Sequence, residues 1–134
     1  MLELNKIWEA KTDWDLVNEI PNSIPELSGG VNPGDQRALY NIIKCFDVKN
    51  VLEIGTHIGS STVCIALALK NRSGAKMTTV DIRDVNTVEG CPKDLIEKAG
   101  CESFVEFRVS DSIEFLRNTN ETYDFIFLDG SHTY

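Results

Sequence analysis

The sequence has no apolar run long enough to cross a membrane and no closely spaced pair of cysteines. Its longest apolar stretch, residues 63–69, falls far short of the ~18 residues that a membrane helix needs. The four cysteines form no Cys-x-x-Cys motif, so neither a zinc site nor a redox pair is indicated. Residues 1–10 lack the basic start and the apolar stretch of a signal peptide. We therefore expect a cytoplasmic protein with reduced thiols.

Positive charge is also scarce. The sequence has 13 Lys and Arg against 21 Asp and Glu, which gives a net charge of −8. Proteins that follow the phosphates of nucleic acids or anionic membranes need clustered basic residues. We therefore expect neither a nucleic acid nor a membrane as a partner. The length of 134 residues suits one globular domain with a modest core.

Short apolar runs alternate with helical segments along most of the chain. Four runs are typical of buried parallel strands, and they lie at residues 51–54, 76–82, 103–109 and 123–128. Helices are expected between them, at residues 60–71, at residues 92–99 and from residue 111 onwards. The helix at 60–71 is apolar on most faces, so we expect it to be covered on more than one side.

A further helix is expected before the first strand. Asp35 is its candidate N-cap, and its apolar positions recur at intervals of three and four, which predicts one buried stripe. The stripe consists of Leu39, Ile42, Ile43 and Phe46. The chain is therefore expected to divide into an N-terminal helical and loop segment, residues 1–33, and a domain over residues 34–134.

The alternation of strands and helices predicts an α/β fold. Its centre is expected to be a Rossmann-like, doubly wound parallel sheet with helices on both faces. Ligands of such sheets bind beyond the carboxyl ends of the strands. Each predicted strand carries an acidic residue at or close to this end: Glu53, Asp81, Asp111 and Asp129. These four ends are where a site is expected.

The loop after the first strand reads Glu-Ile-Gly-Thr-His-Ile-Gly over residues 53–59. Gly55 permits a sharp turn and the close approach of a ligand, and Gly59 lets the next helix begin close to the strand. Such a loop alone is as often structural as functional. The carboxylate of Glu53 suits a cationic amine or a hydroxyl better than a pyrophosphate. Since Gly-x-Gly-x-x-Gly is also missing, a nicotinamide-dependent dehydrogenase is disfavoured.

Two other strand ends suggest contacts to a nucleoside. Asp81 can accept hydrogen bonds from both hydroxyls of a ribose, and its alternative is a solvated loop acid. Asp111 can accept from the exocyclic amine of an adenine, with Ser112 beside it. Its alternative is a helix N-cap, which is nearly as well supported by the local sequence.

The motifs together resemble those of a known family. The stretch VLEIGTHIGSST resembles motif I of the class I S-adenosylmethionine-dependent methyltransferases. It is most similar to the form found in the catechol and caffeoyl-CoA type O-methyltransferases and their small bacterial relatives. TTVDI resembles motif II, RVSDSIEFL resembles the Gly-Asp-Ala segment with Ser110 in place of glycine, and YDFIFLDGSHTY resembles the fourth-strand motif. The motifs have the family's order and nearly its spacing.

The resemblance implies S-adenosylmethionine as the cofactor. Its methionine part would be held by Glu53 and by the loop of Gly55, Thr56, His57 and Gly59. Ser61 would contact the methionine carboxylate, and residues 30–36 would close over the sulfonium. Asp81 would hold the ribose, and Asp111 with Ser112 would frame the adenine.

The resemblance also implies the chemistry of the fourth strand. In metal-dependent relatives the aspartate at the end of this strand binds a divalent cation of the Mg²⁺ type, and Asp129 matches that ligand. His132 is a candidate general base, and its alternative is a terminal histidine without a partner. Asp129 and His132 are therefore the candidate catalytic residues.

The family's sheet usually has seven strands in the order 3-2-1-4-5-7-6, and this sequence supplies strands 3-2-1-4. Residues 34–134 are then a partial, C-terminally truncated cofactor-binding domain of an enzyme that methylates a small molecule. The alternative is a cofactor-binding module without turnover, because the acceptor half is missing. The apolar fourth strand would become a sheet edge, so we expect a homo-oligomer through that strand.

Overall fold

The structure is a computed structural model that describes residues 30–130. The predicted N-terminal segment, except for its last residues, and His132 lie outside the described residues. The elements in chain order are α1 (Pro33–Cys45), β1 (Asn50–Ile54), α2 (Ser60–Leu69), β2 (Lys76–Asp81), α3 (Pro92–Ala99), β3 (Val105–Val109), α4 (Ser112–Asn118) and β4 (Phe125–Leu128). Each strand and helix expected from residue 34 onwards is present, with bounds that shift by a few residues.

The four strands of the described residues form one parallel sheet in the order β3-β2-β1-β4. Central β1 pairs with β2 and β4, so that Ile54 lies opposite both Val80 and Leu128. This confirms the predicted α/β class and the predicted strand order. The last four residues of β1 are buried, as expected of a strand that is paired on both sides and covered on both faces.

Helices α1, α2 and α3 cover one face of the sheet. Helix α2 contacts both α1 and α3, and all ten of its residues are buried, which confirms that it is covered on several sides. The main core joins these helices to Val51 of β1 and Met77 of β2. Among residues 30–130, no helix is long and apolar enough to cross a membrane.

The buried side of α1 differs from the prediction. Leu39 and Ile43 are buried, but Ile42 is 42% exposed and Phe46 is 56% exposed. Phe46 is an extended C-cap residue, so it has left the helical spacing on which the stripe was based. The buried side of α1 still follows intervals of three and four, but it includes two residues that the predicted stripe did not. It consists of Gln36, Leu39, Tyr40 and Ile43.

The N-cap of α1 also differs from the prediction. It is Asn32, whose Oδ1 accepts hydrogen bonds from the backbone N–H groups of Gly34 (2.9 Å) and Asp35 (3.1 Å). Asp35 lies inside the first turn, because Pro33 takes the first helical position, where no N–H is needed. A carboxylate in the first turn still favours the helix through its interaction with the helix dipole.

Two cations just after α2 bind the C-terminal ends of the flanking helices. The Nζ of Lys70 donates to the carbonyl oxygen of Ala99, the last residue of α3 (2.6 Å). The guanidinium of Arg72 donates to the carbonyl oxygens of Ile43, Phe46 and Val48, at and beyond the end of α1. These contacts satisfy carbonyl groups at the last turns of α1 and α3 and in the segment that follows α1.

The other face of the sheet is covered less completely. Helix α4 has no buried residue, and its Phe115 packs with Tyr123 against a small cluster of Leu52, Ile54 and Val80. On β4, Ile126 and Leu128 are 50% and 68% exposed, while their neighbours in the strand are half-buried against the main core. In the described part of the chain, three helices therefore cover one face of the sheet, and α4 alone covers part of the other.

Candidate functional site

A cavity of about 670 Å³ opens at the carboxyl ends of the strands. This volume lies within the range of about 300–1,000 Å³ that is usual for small-molecule sites. Five stretches contribute to its wall: residues 30–31, residues 54–61 except Gly59, residues 80–85 except Asp84, residues 110–112 and residues 129–130. The cavity therefore lies at the edge of the sheet where the strand-ending acids predicted a site.

The glycine loop between β1 and α2 has the backbone that only glycine accommodates easily. Gly55 has a φ of +98°, and a Cβ on it would lie 2.2 Å from the carbonyl oxygen of Asp129. Gly59 has a φ of +80° and packs against Pro92. Both glycines therefore permit close packing between elements.

Asp81 connects two loops at the cavity. Its Oδ2 accepts a hydrogen bond from the backbone N–H of His57 (2.9 Å), and its Oδ1 accepts from that of Arg83 (3.0 Å). Each carboxylate oxygen can accept a second hydrogen bond, so Asp81 keeps capacity for a ligand's hydroxyl groups. His57 itself is exposed and has a φ of +46°, a left-handed conformation that is uncommon outside glycine.

Asp111 is both a helix cap and a cavity residue. Its Oδ1 accepts from the backbone N–H groups of Ile113 (2.9 Å) and Glu114 (3.0 Å) at the start of α4. The interpretation as an N-cap is therefore confirmed. Asp111 and Ser112 also line the cavity. The role of Asp111 as a cap is therefore compatible with a contact to a ligand.

Glu53 lies behind the wall. Its side chain is fully buried, and neither it nor Gly59 lines the cavity. Its carboxylate accepts three hydrogen bonds of 2.6 Å each, from the hydroxyls of Ser61, Thr62 and Thr79. The sequence suggested that the Glu53 carboxylate binds an amine or a hydroxyl of a ligand. In the structure it accepts hydrogen bonds from hydroxyls of the chain itself.

Burial raises the pKa of Glu53 from 4.5 to about 7. The three hydroxyl donors lower this pKa, and the negative charge of Asp129 raises it further. The charge of Glu53 acts in turn on the Cys64 thiol, whose pKa is raised to about 12, chiefly by burial. Cys64 is thus an inert core thiol, and all four cysteines are free.

Thr62 and Thr79 are the residues of this region that the sequence did not single out. Thr79 is fully buried on β2, and its hydroxyl also lies 2.6 Å from that of Thr56, which lines the cavity. The only sequence signal was a pair of threonines just before Val80 and Asp81. Polar residues in an otherwise apolar buried strand need partners, and that requirement could have drawn attention to them.

The segment of residues 30–36 rests on the glycine loop. The backbone N–H of Val31 donates to the hydroxyl of Ser60 (3.0 Å), and the Gln36 side chain donates to the carbonyl oxygen of Val31 (2.9 Å). Gly30 lies so close to Ile58 and Ser60 that a Cβ would approach their side chains to 2.8 Å or less. This segment therefore borders the cavity, and its closure over a ligand stays a prediction.

Asp129 lies at the end of β4 and lines the cavity. Its backbone N–H donates to the carbonyl oxygen of Ile54 (2.9 Å), which places it beside the glycine loop. Within residues 30–130, no cluster of three His, Cys, Asp or Glu side chains could hold a metal ion. Asp129 therefore belongs to no group of three such side chains within these residues, and His132 lies outside them.

Comparison with known proteins gives a consistent result. A family described as a methyltransferase domain matches residues 52–134. The caffeoyl-CoA O-methyltransferase 5 of Nicotiana tabacum is 30% identical over 135 residues, which cover 96% of this chain and 49% of that protein. The caffeoyl-CoA O-methyltransferase 2 of Petunia hybrida is 35% identical, with coverage of 96% and 49%. The chain spans about half the length of the curated relatives it matches.

A solved structure shares the fold. The O-methyltransferase from Bacillus cereus in complex with SAH superposes with a TM-score of 0.67 and 24% sequence identity. The superposition covers 90% of this chain and 55% of that protein. The four-stranded sheet and its helices are therefore an architecture found in a larger protein.

Proposed function

The chain belongs to the methyltransferase domain family, and from this premise we propose that it is the S-adenosylmethionine-binding part of an O-methyltransferase that acts on a small molecule. The observation that carries the proposal is the cavity at the carboxyl ends of the strands. It combines a glycine loop on one side with Asp81 at the end of the neighbouring strand. The relatives named caffeoyl-CoA O-methyltransferases and the SAH-bound structural neighbour support it.

The charge of the cavity supports a cationic ligand. Three carboxylates, those of Asp81, Asp111 and Asp129, line it. S-adenosylmethionine carries a positive sulfonium, and opposite charges in a partly enclosed cavity attract more strongly than in bulk water. An anionic pyrophosphate would be repelled by the same groups.

The parts of the cofactor can be assigned to parts of the wall. We assign the ribose hydroxyls to Asp81, whose oxygens are held by backbone N–H groups and keep acceptor capacity. We assign the adenine to Asp111 and Ser112, and the methionine part to the loop from Gly55 to Ser61. Glu53 supports this loop from behind, without touching the ligand.

When bound, the cofactor supplies a methyl group on a sulfonium for transfer by in-line displacement. The work of the protein is to orient the acceptor hydroxyl, to exclude water and to take up the hydroxyl proton. Asp129 at the cavity wall and His132 are our candidates for that proton transfer. The acceptor classes that we propose are small phenols, sugar hydroxyls and carboxylates.

A divalent cation at Asp129 also remains a proposal. Magnesium prefers several oxygen ligands, and within residues 30–130 no group of three His, Cys, Asp or Glu side chains could hold a metal ion. These residues by themselves do not form a complete metal site, so no step is derived through a cation. A cytoplasmic location likewise stays a prediction.

The binding proposal is tested with S-adenosylhomocysteine and the Asp81→Asn variant. We expect the protein to bind this ligand in isothermal titration calorimetry, and Asp81→Asn to weaken binding by at least about tenfold, because a charge-assisted hydrogen bond is lost. Asp84→Asn is the matched control, since Asp84 lies in the same loop but does not line the cavity. Tight NAD binding without binding of S-adenosylhomocysteine would contradict the proposal.

A methyl-transfer assay separates an enzyme from a binding module without turnover. The release of S-adenosylhomocysteine is measured with small phenols as acceptors, with and without Mg²⁺. Turnover that depends on Mg²⁺ supports the cation at Asp129. Binding without any turnover favours the module.

We further propose that β4 pairs with a second copy of the chain. It is an edge of the four-stranded sheet in residues 30–130, and its Ile126 and Leu128 are 50% and 68% exposed. Unpaired backbone groups beside exposed apolar side chains favour strand pairing between molecules.

A further inference from the structure

A second cavity lies between α4 and the sheet, on the face that points away from α2. We call it the α4 pocket. Its volume is about 260 Å³, which suits a ligand smaller than those of most small-molecule sites. Strands β2 and β3, helix α4 and the segment before β4 form its wall. Among the described residues it shares only Ser110 with the cavity at the carboxyl ends of the strands, so the two cavities are distinct.

Thr78 of β2 contributes to the wall of the α4 pocket. Side chains alternate along a strand, and its neighbours Met77 and Thr79 face α2, where Met77 belongs to the main core. Thr78 therefore faces α4, as does Val80, which packs in the small cluster on that face. Thr78 is 3% exposed, and its hydroxyl has no hydrogen-bond partner in the described part of the chain. It is thus a buried polar side chain that lies beside the pocket and is left unpaired.

Tyr123, in the segment before β4, is a second residue of this wall with an unpaired hydroxyl. Its hydroxyl oxygen is buried and has no hydrogen-bond partner within residues 30–130. A buried hydroxyl without a partner costs free energy, and most such groups in folded proteins are paired. Two unpaired hydroxyls beside one pocket therefore indicate that it receives a ligand with hydrogen-bonding groups.

The charged groups of the wall favour a cation. Glu106 forms an ion pair with Arg108, and Glu121 forms one with Lys76 over 2.7 Å, so these charges largely cancel. Glu114 of α4 also lines the pocket, and its carboxylate forms no ion pair within residues 30–130. The wall therefore keeps one negative charge that is not compensated.

The remaining features of the wall favour an organic cation. Phe115 and Tyr123 line the pocket, and aromatic side chains attract ammonium groups through the negative face of the ring. No three acidic side chains of the pocket are placed to hold a metal ion, since residues 30–130 contain no such group. An ammonium group that donates N–H hydrogen bonds also suits the unpaired hydroxyls, which can accept them.

We propose that the α4 pocket binds a small organic molecule through a primary ammonium group. The charge of this group is met by Glu114, and the hydroxyls of Thr78 and Tyr123 are its available hydrogen-bond partners. The inference goes beyond the proposed function and does not depend on it, because the pocket lies apart from the cavity assigned to the cofactor.

The test uses n-butylamine at pH 7, where a primary amine is protonated, and n-butanol as its neutral counterpart. Both are titrated into the ¹⁵N-labelled full chain and followed by NMR. We expect n-butylamine to bind with a Kd on the order of 1 mM and n-butanol at least about tenfold more weakly. The largest chemical-shift changes are expected at the backbone amides of Glu114, Phe115 and Tyr123.

Two variants remove the groups that are assigned to the ammonium. Glu114→Gln and Thr78→Val should each weaken the binding of n-butylamine by about fivefold, through the loss of a charge and of a hydrogen-bond acceptor. Glu97→Gln is the matched control for charge, since Glu97 is exposed on α3 and does not line the pocket. Asp81→Asn is the control for the other cavity, whose acidic wall could also attract an amine. Both controls should keep the wild-type Kd.

Three results would overturn the proposal. The first is a wild type that binds n-butylamine no more tightly than n-butanol. The second is binding that Asp81→Asn abolishes and Glu114→Gln leaves unchanged, which would place the amine in the other cavity. The third is a wild-type Kd in both Glu114→Gln and Thr78→Val. Should Thr78→Val not fold, Tyr123→Phe takes its place, because it removes the other unpaired hydroxyl and breaks no hydrogen bond of the described residues.

Discussion

The fully buried carboxylate of Glu53 costs folding energy whenever it is ionised. Its three hydroxyl partners offset part of the loss of hydration, but its pKa still rises to about 7. The groups that face it include Asp129, whose charge opposes ionisation, and the Cys64 thiol, which stays neutral. The region behind the cavity wall is therefore a place where pH acts on the fold.

The pH dependence of stability tests this account of Glu53. Because the folded state holds the proton more tightly than the unfolded state, the contribution of Glu53 to the free energy of unfolding is largest below pH 4.5. It is lost as the pH rises from 4.5 to 7, by roughly 3 kcal/mol in total. Glu53→Gln should remove this decline in urea unfolding experiments between pH 4.5 and 8.

The control for this experiment is Glu102→Gln, an exposed carboxylate outside the network. It should keep the wild-type profile. Other carboxylates change stability in the opposite direction, since the pKa of Asp124 is lowered by the backbone N–H groups of Asn50 and Lys49. The quantity to compare is therefore the difference between each variant and the wild type. If Glu53→Gln and the wild type change in parallel, the pKa of Glu53 is not raised in the folded protein.

Helix α2 organises its neighbours at the scale of secondary-structure elements. It is buried on every side, so it lacks the polar face that most helices expose. The two cations that follow it, Lys70 and Arg72, bind carbonyl groups at the ends of α3 and α1. One short segment after α2 thus fixes both flanking helices against it.

The contribution of Arg72 can be measured directly. Arg72→Met keeps much of the apolar stem but leaves the carbonyl oxygens of Ile43, Phe46 and Val48 without this donor. We expect a loss of about 1–3 kcal/mol in the free energy of unfolding in urea, with fraying of the end of α1 in hydrogen exchange. Arg117→Met, on the exposed side of α4, should change stability by less than about 0.5 kcal/mol. Equal effects of the two variants would contradict the role of Arg72 as a cap.

At the scale of the whole molecule, the described residues form a layer of three helices, a sheet and a thin second layer. The main core joins α1, α2 and α3 to the sheet, whereas α4 covers only part of the other face. Four of the nine exposed large apolar side chains of the described residues lie on α4 and β4: Ile113, Leu116, Ile126 and Leu128. Apolar exposure of this kind marks a surface that is suited to contact with another chain.

Self-association through β4 is the corresponding prediction. The wild type should form dimers or larger species with rising concentration in sedimentation velocity, and Leu128→Lys should reduce this because a charge on an edge strand discourages pairing. Val109→Lys is the matched control: Val109 is also exposed, at 60%, but belongs to β3 at the opposite edge. A wild-type protein that stays monomeric at high concentration would refute the pairing of β4.

By itself the sequence determined the order of strands and helices from residue 34 onwards, the helical burial of α2 and the set of strand-ending acids. These features depend on local apolar runs and on the rule that parallel strands present their carboxyl ends at one edge. Local rules were less decisive for α1. Asn32 and Asp35 are both acceptable caps, and only the position of Pro33 and the packing against α2 selected one cap and one buried side.

Only the tertiary structure decided the role of Glu53. The sequence showed a carboxylate beside a glycine loop, which is equally suited to a ligand or to the chain's own hydroxyls. Its partners Ser61 and Thr79 lie 8 and 26 positions away, on a helix and a neighbouring strand. Hydrogen bonds over such separations depend on the register of β1 against β2 and on the first turn of α2. Packing fixes that register and that turn, and no local pattern encodes them.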